Sequence, residues 1–336
     1  MKKFFIFLLM VLFLVEPVLA EEISTSTVNL EASTSTKSNT EAITTTRELI
    51  LEPNIRVGLF KTKEKLRFQS DFNYQIINDD GQVNILPQGE VAEMNYNNGI
   101  YQLKSDSLDL ESDKFWRLEP FDRESTFSLP DCKRTYTGRK KFYCDYRGTL
   151  EFRYSPKSKM PYIINELPLD DYIKGIAETD NNSTEGYIKA VLVAARSYAY
   201  FNISKDPPTE KRMFDVYATT QDQLYLGYTS EKLMPRVAQF ATDTYGEMVT
   251  YNSKPVVTPY FSRSNGFTKD WKNSKGINDR PWLKKAECIY DKGKRQYGHG
   301  IGMSTHDALM RATKDDWGYI QLLQHYYTDT QVEKIY

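Results

Sequence analysis

Short alternations of apolar and polar residues recur between residue 54 and about residue 154. They run through Ile55-Arg56-Val57-Gly58-Leu59, Phe72-Asn73-Tyr74-Gln75-Ile76-Ile77, Val91-Ala92-Glu93-Met94 and Thr149-Leu150-Glu151-Phe152-Arg153-Tyr154. Asp79-Asp80-Gly81 and Asn97-Asn98-Gly99 supply turn chemistry between them. A period of two broken by such turns predicts an antiparallel β region over residues 54–160.

After Pro161 the period lengthens to 3.6. Leu169, Tyr172, Ile173 and Ile176 stand at i, i+3, i+4 and i+7, with Pro168 ahead of them and Asp170 and Asp171 in the first turn. This predicts a short amphipathic helix ending near Ala177. Ser183 or Thr184 caps a second helix to about Ile203, with Ile188, Val191, Leu192, Ala195, Tyr198 and Ala199 as its apolar face and Pro207-Pro208 as its stop. A third helix starts at Pro235 and closes at Gly246. Residues 247–251 and 255–261 flank Asn252-Ser253 as a hairpin. Ser304 and Asp307 offer a capping box for a helix through Met310, and a last helix covers residues 317–327. The expected class is α+β: the antiparallel β region, 54–160, packs with a mixed helix and β-hairpin region, 161–336.

The N-terminus reads differently. Lys2 and Lys3 precede an apolar run of 12, Phe4 to Val15, and Glu16-Pro17 breaks it before Val18-Leu19-Ala20. This is the form of a secretory signal peptide, residues 1–20, or of an uncleaved N-terminal anchor. In either case the rest of the chain is expected outside the cytoplasm, secreted, periplasmic or wall-associated, and it meets a membrane only if that segment stays. Ser and Thr fill 13 of the 24 positions from 23 to 46, so residues 21–53 are expected to form a flexible tether, either a plain spacer or one that lets the domain search a surface.

Composition narrows the function classes. Of 336 residues, 44 are Lys or Arg and 45 are Asp or Glu, a net charge of −1, which lacks the basic footprint that nucleic acid requires. Three Cys exclude a disulfide-dense miniature scaffold, and there is no CxxC pair to start a zinc site. Cys132 and Cys144 stand twelve apart around Thr137-Gly138, and a disulfide is their expected use in an oxidising compartment. Cys288 reads as a buried small apolar residue.

Three clusters could carry chemistry. Glu178 opens a polar loop, Thr179-Asp180-Asn181-Asn182-Ser183-Thr184, between two helices; it is either a solvated charge or a carboxyl held at the rim of a core. Tyr260-Phe261-Ser262-Arg263-Ser264-Asn265-Gly266-Phe267-Thr268 is a plain turn or a loop that hydrogen-bonds sugar hydroxyls. Tyr297-Gly298-His299-Gly300-Ile301-Gly302-Met303-Ser304 presents one His among three alternating Gly. A metal held by His299 with His306 lacks supporting Cys or acids, and nothing brings Cys288 to His299 as a nucleophile pair.

The order of these pieces resembles the stage II sporulation protein D (SpoIID) family. Pro168-Leu169-Asp170-Asp171-Tyr172-Ile173-Lys174-Gly175-Ile176-Ala177-Glu178 is followed by Lys189-Ala190-Val191-Leu192-Val193-Ala194-Ala195-Arg196-Ser197-Tyr198-Ala199, by Asp222-Gln223-Leu224-Tyr225-Leu226-Gly227-Tyr228, and by Gly298-His299-Gly300-Ile301-Gly302-Met303-Ser304. The resemblance runs from about Ile163 to the C-terminus. It implies an extracytoplasmic peptidoglycan lytic transglycosylase, or a non-catalytic relative that binds glycan and enhances an amidase. In the active members one Glu after the first helix is the catalytic acid, and Glu178 is the matching position. Such enzymes cleave the bond between N-acetylmuramic acid and N-acetylglucosamine in peptide-free strands, leaving 1,6-anhydro ends.

The same resemblance makes Arg196, Gln223, Tyr225, Ser262, Ser264, Gly266, Thr268, His299 and Gly300 the substrate-binding candidates, with Arg196 alternatively holding the Glu178 loop. Some relatives bind a metal near the cleft, but this domain has only Cys288, so no metal and no cofactor are expected; the expected partners are glycan strands and a cell-wall amidase, not nucleic acid. Thr179-Asp180 stands where the family commonly has Met-Pro, Ser264-Asn265-Gly266 replaces its Ser-Gly-Gly, and the 282–298 segment is short. The domain resembles proteins of ordinary wall remodelling as well as those of sporulation.

Overall fold

The structure, a computed structural model, describes residues 50–135, 141–205 and 213–336. The expected signal segment, the tether up to residue 49, Thr137-Gly138 and Pro207-Pro208 lie outside the described residues. Among the described residues no helix is long and apolar enough to cross a membrane.

The alternating segments form two sheets. The larger has seven strands in the order Val216–Tyr217, Asn54–Lys61, Met160–Pro168, Thr149–Ser155, Trp116–Pro120, Tyr74–Ile77 and Val83–Leu86. All its pairs are antiparallel except that of Val216–Tyr217 with Asn54–Lys61. The second has six strands, ordered Asp145–Arg147, Thr126–Ser128, Leu66–Gln69, Val91–Asn97, Ile100–Lys104 and Asp109–Ser112. Ile55, Val57, Leu150, Phe152, Phe68, Met94 and Leu103 are buried, as side-chain alternation on a half-covered sheet requires. Cys132 and Cys144 are disulfide-bonded, with Cα atoms 5.7 Å apart, and Cys288 is a buried free thiol.

Helical structure starts at Leu169, next to the expected Pro168, but the stretch after Pro161 that leads to it is strand. Met160–Pro168 is a strand, hydrogen-bonded on one side to Asn54–Lys61 and on the other to Thr149–Ser155. Pro161, Ile163, Asn165 and Leu167 fill its buried face, but Ile164 is buried on the other, and this break in the alternation is a pattern that periodicity alone does not separate from a helix. Among the described residues seven α-helices follow: α1 (Leu169–Lys174), α2 (Glu185–Lys205), α3 (Gly227–Leu233), α4 (Pro235–Asp243), α5 (Trp271–Lys275), α6 (Thr305–Lys314) and α7 (Tyr319–Tyr326).

α2 is the hub. Ile188, Leu192, Ala195 and Ala199 pack into one core with Ile55, Val57, Tyr172, Ile173 and Val237. Tyr187, Ala190, Val191, Val193 and Ala194 pack into a second with Val249, Met303, Ala308, Leu322 and Tyr326. The helix is therefore buried around its circumference and not along the single face expected, which is why it is rich in Ala where neighbours come close. Each large apolar side chain so buried contributes about 1.5–3 kcal/mol.

Two local expectations are corrected. The second arm of the 247–251 hairpin is only Lys254–Pro255; the chain then leaves, and Tyr260–Phe261 pairs in parallel with Met303–Ser304, while Gln331–Lys334 covers the other side of Glu247–Tyr251. Ser304 precedes α6 but its hydroxyl makes no cap bond, because it donates to Asp291 Oδ2 at 2.6 Å. Asp307 is taken by Tyr290 N–H, Arg311 and the Tyr326 hydroxyl. Both capping-box side chains thus serve tertiary contacts.

Candidate functional site

α1 ends at Gly175, and the next residues run antiparallel to 224–226: Ile176 bridges Tyr225, Ala177 N–H donates to Leu224 O (2.8 Å) and Leu226 N–H to Gly175 O (2.9 Å). Only glycine fits at 175, since a Cβ there would stand 2.5 Å from the Tyr225 ring. This pairing delivers Glu178 to Leu224, whose N–H donates to Oε1 at 2.5 Å. Oε2 has no hydrogen-bond partner among the described residues. Burial pushes the carboxyl above its ordinary value, and the bond from Leu224 N–H offsets only part of that. Downstream, Arg236 fastens the polar loop, its N–H to Asn181 Oδ1 (2.9 Å) and its guanidinium to Asn181 O (2.7 Å) and Ser183 O (3.2 Å).

Glu178 lines a cleft of about 690 Å³ with Asp222, Tyr260, Ser262, Trp271, Lys275, Arg280 and His299 among its walls. Asp222 has both oxygens engaged, Oδ1 by the Tyr198 hydroxyl and Oδ2 by Tyr217 N–H, each at 2.9 Å. Arg280 lies over the Trp271 ring at 4.2 Å and Lys275 Nζ is 5.7 Å from the same ring. Neither cation has a carboxylate partner among the described residues, so among them the cleft carries unpaired positive charge.

The Gly-rich loop forms the opposite lip. Gly298, Gly300 and Gly302 all have positive φ, and a Cβ at Gly302 would fall 1.9 Å from Pro259 O, so the chain can cross there only as glycine. His299 is pinned: its Nδ1 accepts from Ile301 N–H and its Nε2 faces Tyr260 O, both at 3.1 Å. That pattern fixes a neutral ring protonated at Nε2. Burial lowers its proton affinity against the pull of Tyr260 O, and Lys269 and Lys275 lower it further. His299 thus shapes the cleft with both nitrogens engaged within the protein.

The other candidates separate. Ser262 lines the cleft. Gln223 is buried directly behind it, donating to the Tyr260 hydroxyl (3.0 Å) and accepting from the Tyr172 hydroxyl (2.9 Å). Tyr225 stacks on Tyr172 and donates to Asn165, within the core. Ser264 is buried and donates from N–H and Oγ to Asp291 Oδ2, while its Oγ accepts from Gly266 N–H. Thr268 bonds Lys284 O and Ala286 N–H, and Gly300 O accepts from Lys269 N–H. Arg196 is fully buried against Asp170, with further bonds to Ala241 O and Glu247 O. Tyr225, Ser264, Gly266, Thr268, Gly300 and Arg196 therefore stand away from the cleft lining.

Sequence reasoning missed Asp291, the buried hub of the serine loop. Besides Ser264 it accepts from Ser304 and from His306 Nδ1 (2.7 Å). Burial alone would raise its carboxyl; the bonds from Ser304, Ser264 and His306 outweigh that and hold it below the ordinary range. Burial also pushes the Cys288 thiol up to about 12, far from a nucleophile's range. Among the described residues no group of three or more His, Cys, Asp or Glu is placed to hold a metal ion.

Residues 157–251 match the model of the family described as stage II sporulation protein, SpoIID. Over that stretch the chain is similar to stage II sporulation proteins. The stretch includes α1, Glu178, α2 and Asp222 and ends before the serine loop and the Gly-rich lip. The chain is 33% identical over 135 residues to an uncharacterised protein of Brachyspira hyodysenteriae, covering 40% of this chain and 35% of that one. It is 25% identical over 146 residues to stage II sporulation protein D of Bacillus subtilis and 24% identical over 147 residues to that of Bacillus amyloliquefaciens, in each case 40% of this chain and 42% of the relative. The chain thus spans well under half the length of the curated relatives it matches.

Proposed function

We propose that this protein is an extracytoplasmic lytic transglycosylase of peptidoglycan glycan strands, with Glu178 as its one acid and base. The observation that carries the reading is the state of that carboxyl: one oxygen fixed by Leu224 N–H, the other without a partner among the described residues in the wall of a cleft, and its proton held more tightly than an ordinary Glu holds one. Such a group delivers its proton to the glycosidic oxygen as the bond to the muramyl anomeric carbon breaks. As carboxylate it then takes the proton of that sugar's own 6-hydroxyl, whose oxygen closes the 1,6-anhydro ring. One proton is given and one recovered, and no second carboxylate is needed to activate water. Asp222, with both oxygens already accepting, fits a positioning role for Tyr198 and residue 217.

Arg280 and Lys275 suit a polymer whose muramyl units expose carboxylates once their peptides are gone. That preference makes a cell-wall amidase the natural supplier of substrate. The test is Glu178→Gln on peptide-free strands. The amide keeps the acceptor for Leu224 N–H but neither donates nor recovers the proton, so cleavage falls by ~10²- to 10⁴-fold while glycan binding persists. Cleavage at the parental rate would remove the assignment and leave the non-catalytic, amidase-enhancing reading in its place.

A further inference from the structure

The cleft around Glu178 has a neighbour. A second cavity, of about 560 Å³, begins at the same two residues, Gln221 and Asp222, and extends along the ends of three strands of the seven-stranded sheet through Lys61, Ser155 and Tyr162. The Phe214 ring lies between those of Tyr162 and Tyr217, with centroids at 5.1 and 4.8 Å. Lys61 and Lys157, both exposed, add positive charge at the rim with no ion pair among the described residues. Half-buried rings beside hydroxyl and amide groups hold the faces and edges of sugars, and unpaired lysines attract carboxylates. Each cavity alone has the volume of a small-ligand site; joined through one wall they suit a linear polymer.

We propose that the second cavity is a remote subsite for the same glycan strand, whose units cross Gln221 and Asp222 and bring their muramyl carboxylates to Lys61 and Lys157. The inference rests on the reading of the Glu178 cleft as a glycan site. It gives the N-terminal β region a function in substrate binding and makes affinity depend on strand length, because contacts remote from the scissile bond add binding energy.

The experiment measures binding of peptide-free strands by calorimetry in the full chain carrying Glu178→Gln, with and without Lys61→Glu plus Lys157→Glu. Both lysines are exposed, so the melting temperature stays unchanged. Long strands are expected to bind the double variant roughly tenfold or more weakly, from two reversed charges, while a tetrasaccharide binds both proteins alike. Equal affinity of long strands for both proteins, or an equal loss on the tetrasaccharide, overturns the remote subsite and leaves the Glu178 reading standing. Failure of the Glu178→Gln protein with both lysines intact to bind any strand overturns both.

Discussion

Replacing Arg196 separates a structural role from a substrate-binding one. Its guanidinium is fully buried between α1, α2 and α4: Nε and Nη2 donate to Asp170 Oδ1 at 2.9 and 2.5 Å, and Nη2 and Nη1 donate to Ala241 O and Glu247 O at 3.1 and 3.2 Å. Asp170, 2% exposed, also accepts from the Tyr336 hydroxyl at 2.6 Å, which ties in the C-terminus. Arg196→Met keeps most of the apolar stem but strands a buried carboxylate and two carbonyls. Breaking a buried pair from one side costs about 3–5 kcal/mol. At about 2–4 °C per kcal/mol for a domain of this size, the melting temperature should drop by about 6–20 °C. Asp170→Leu combined with Arg196→Met removes both charges and should recover much of that loss, since buried pairs exchange for apolar groups at little net cost. Calorimetric melting of the three variants and the parent measures this directly, with glycan affinity taken well below each transition. A stable Arg196→Met protein that has lost glycan binding would refute the reasoning and return Arg196 to the binding surface.

Three other outcomes follow from the same geometry. Removing the disulfide by Cys132→Ala with Cys144→Ala, which opens a loop of 12 residues, should lower stability by about 2–3 kcal/mol in urea titrations; an unchanged midpoint would contradict it. Because the folded state binds the Glu178 proton more tightly than the unfolded chain, its contribution is present at low pH and is lost as pH rises from about 4.5 through the raised value. Glu178→Gln should therefore gain stability relative to the parent across that window, and a pH-independent difference would count against the buried carboxyl. Arg280→Ala should weaken binding of peptide-free strands by roughly five- to tenfold, the worth of about 1 kcal/mol for a half-exposed charge pair, and leave strands with peptide-capped carboxyls nearly unaffected; equal losses on both would contradict the assignment.

Much of the fold was legible because its signals are local. The alternation at Ile55, Val57 and Leu59, the 3.6-period at Leu169, Tyr172 and Ile173, and Pro235 at the head of α4 each act within a few residues. The strand Met160–Pro168 was not legible, since Ile164, buried on the face opposite Ile163 and Leu167, interrupts its alternation. Ser304 and Asp307 carry the letters of a capping box, yet Asp291, Tyr290 and Arg311 compete for them from positions near only after folding. The site divides in the same way. Glu178 and the Gly-rich lip follow from motifs with fixed backbone demands. The serine loop reads as a sugar-binding surface in sequence, but Ser264 and Thr268 point into the protein, and the unpaired cations at Lys275 and Arg280 had no sequence pattern to mark them. Gly266 and Gly300 set loop conformation, through a positive φ at each.

The central claim is that the Glu178 cleft breaks glycan strands by intramolecular displacement. Mass analysis of peptide-free strands after incubation with the full protein, with Glu178→Gln as control, tests it most directly. The expected product has 1,6-anhydro muramyl ends, which are 18 Da lighter than reducing ends because no water is added, and it is absent from the control. Reducing ends would contradict the single-carboxyl chemistry, and intact strands beside measurable binding would contradict catalysis altogether.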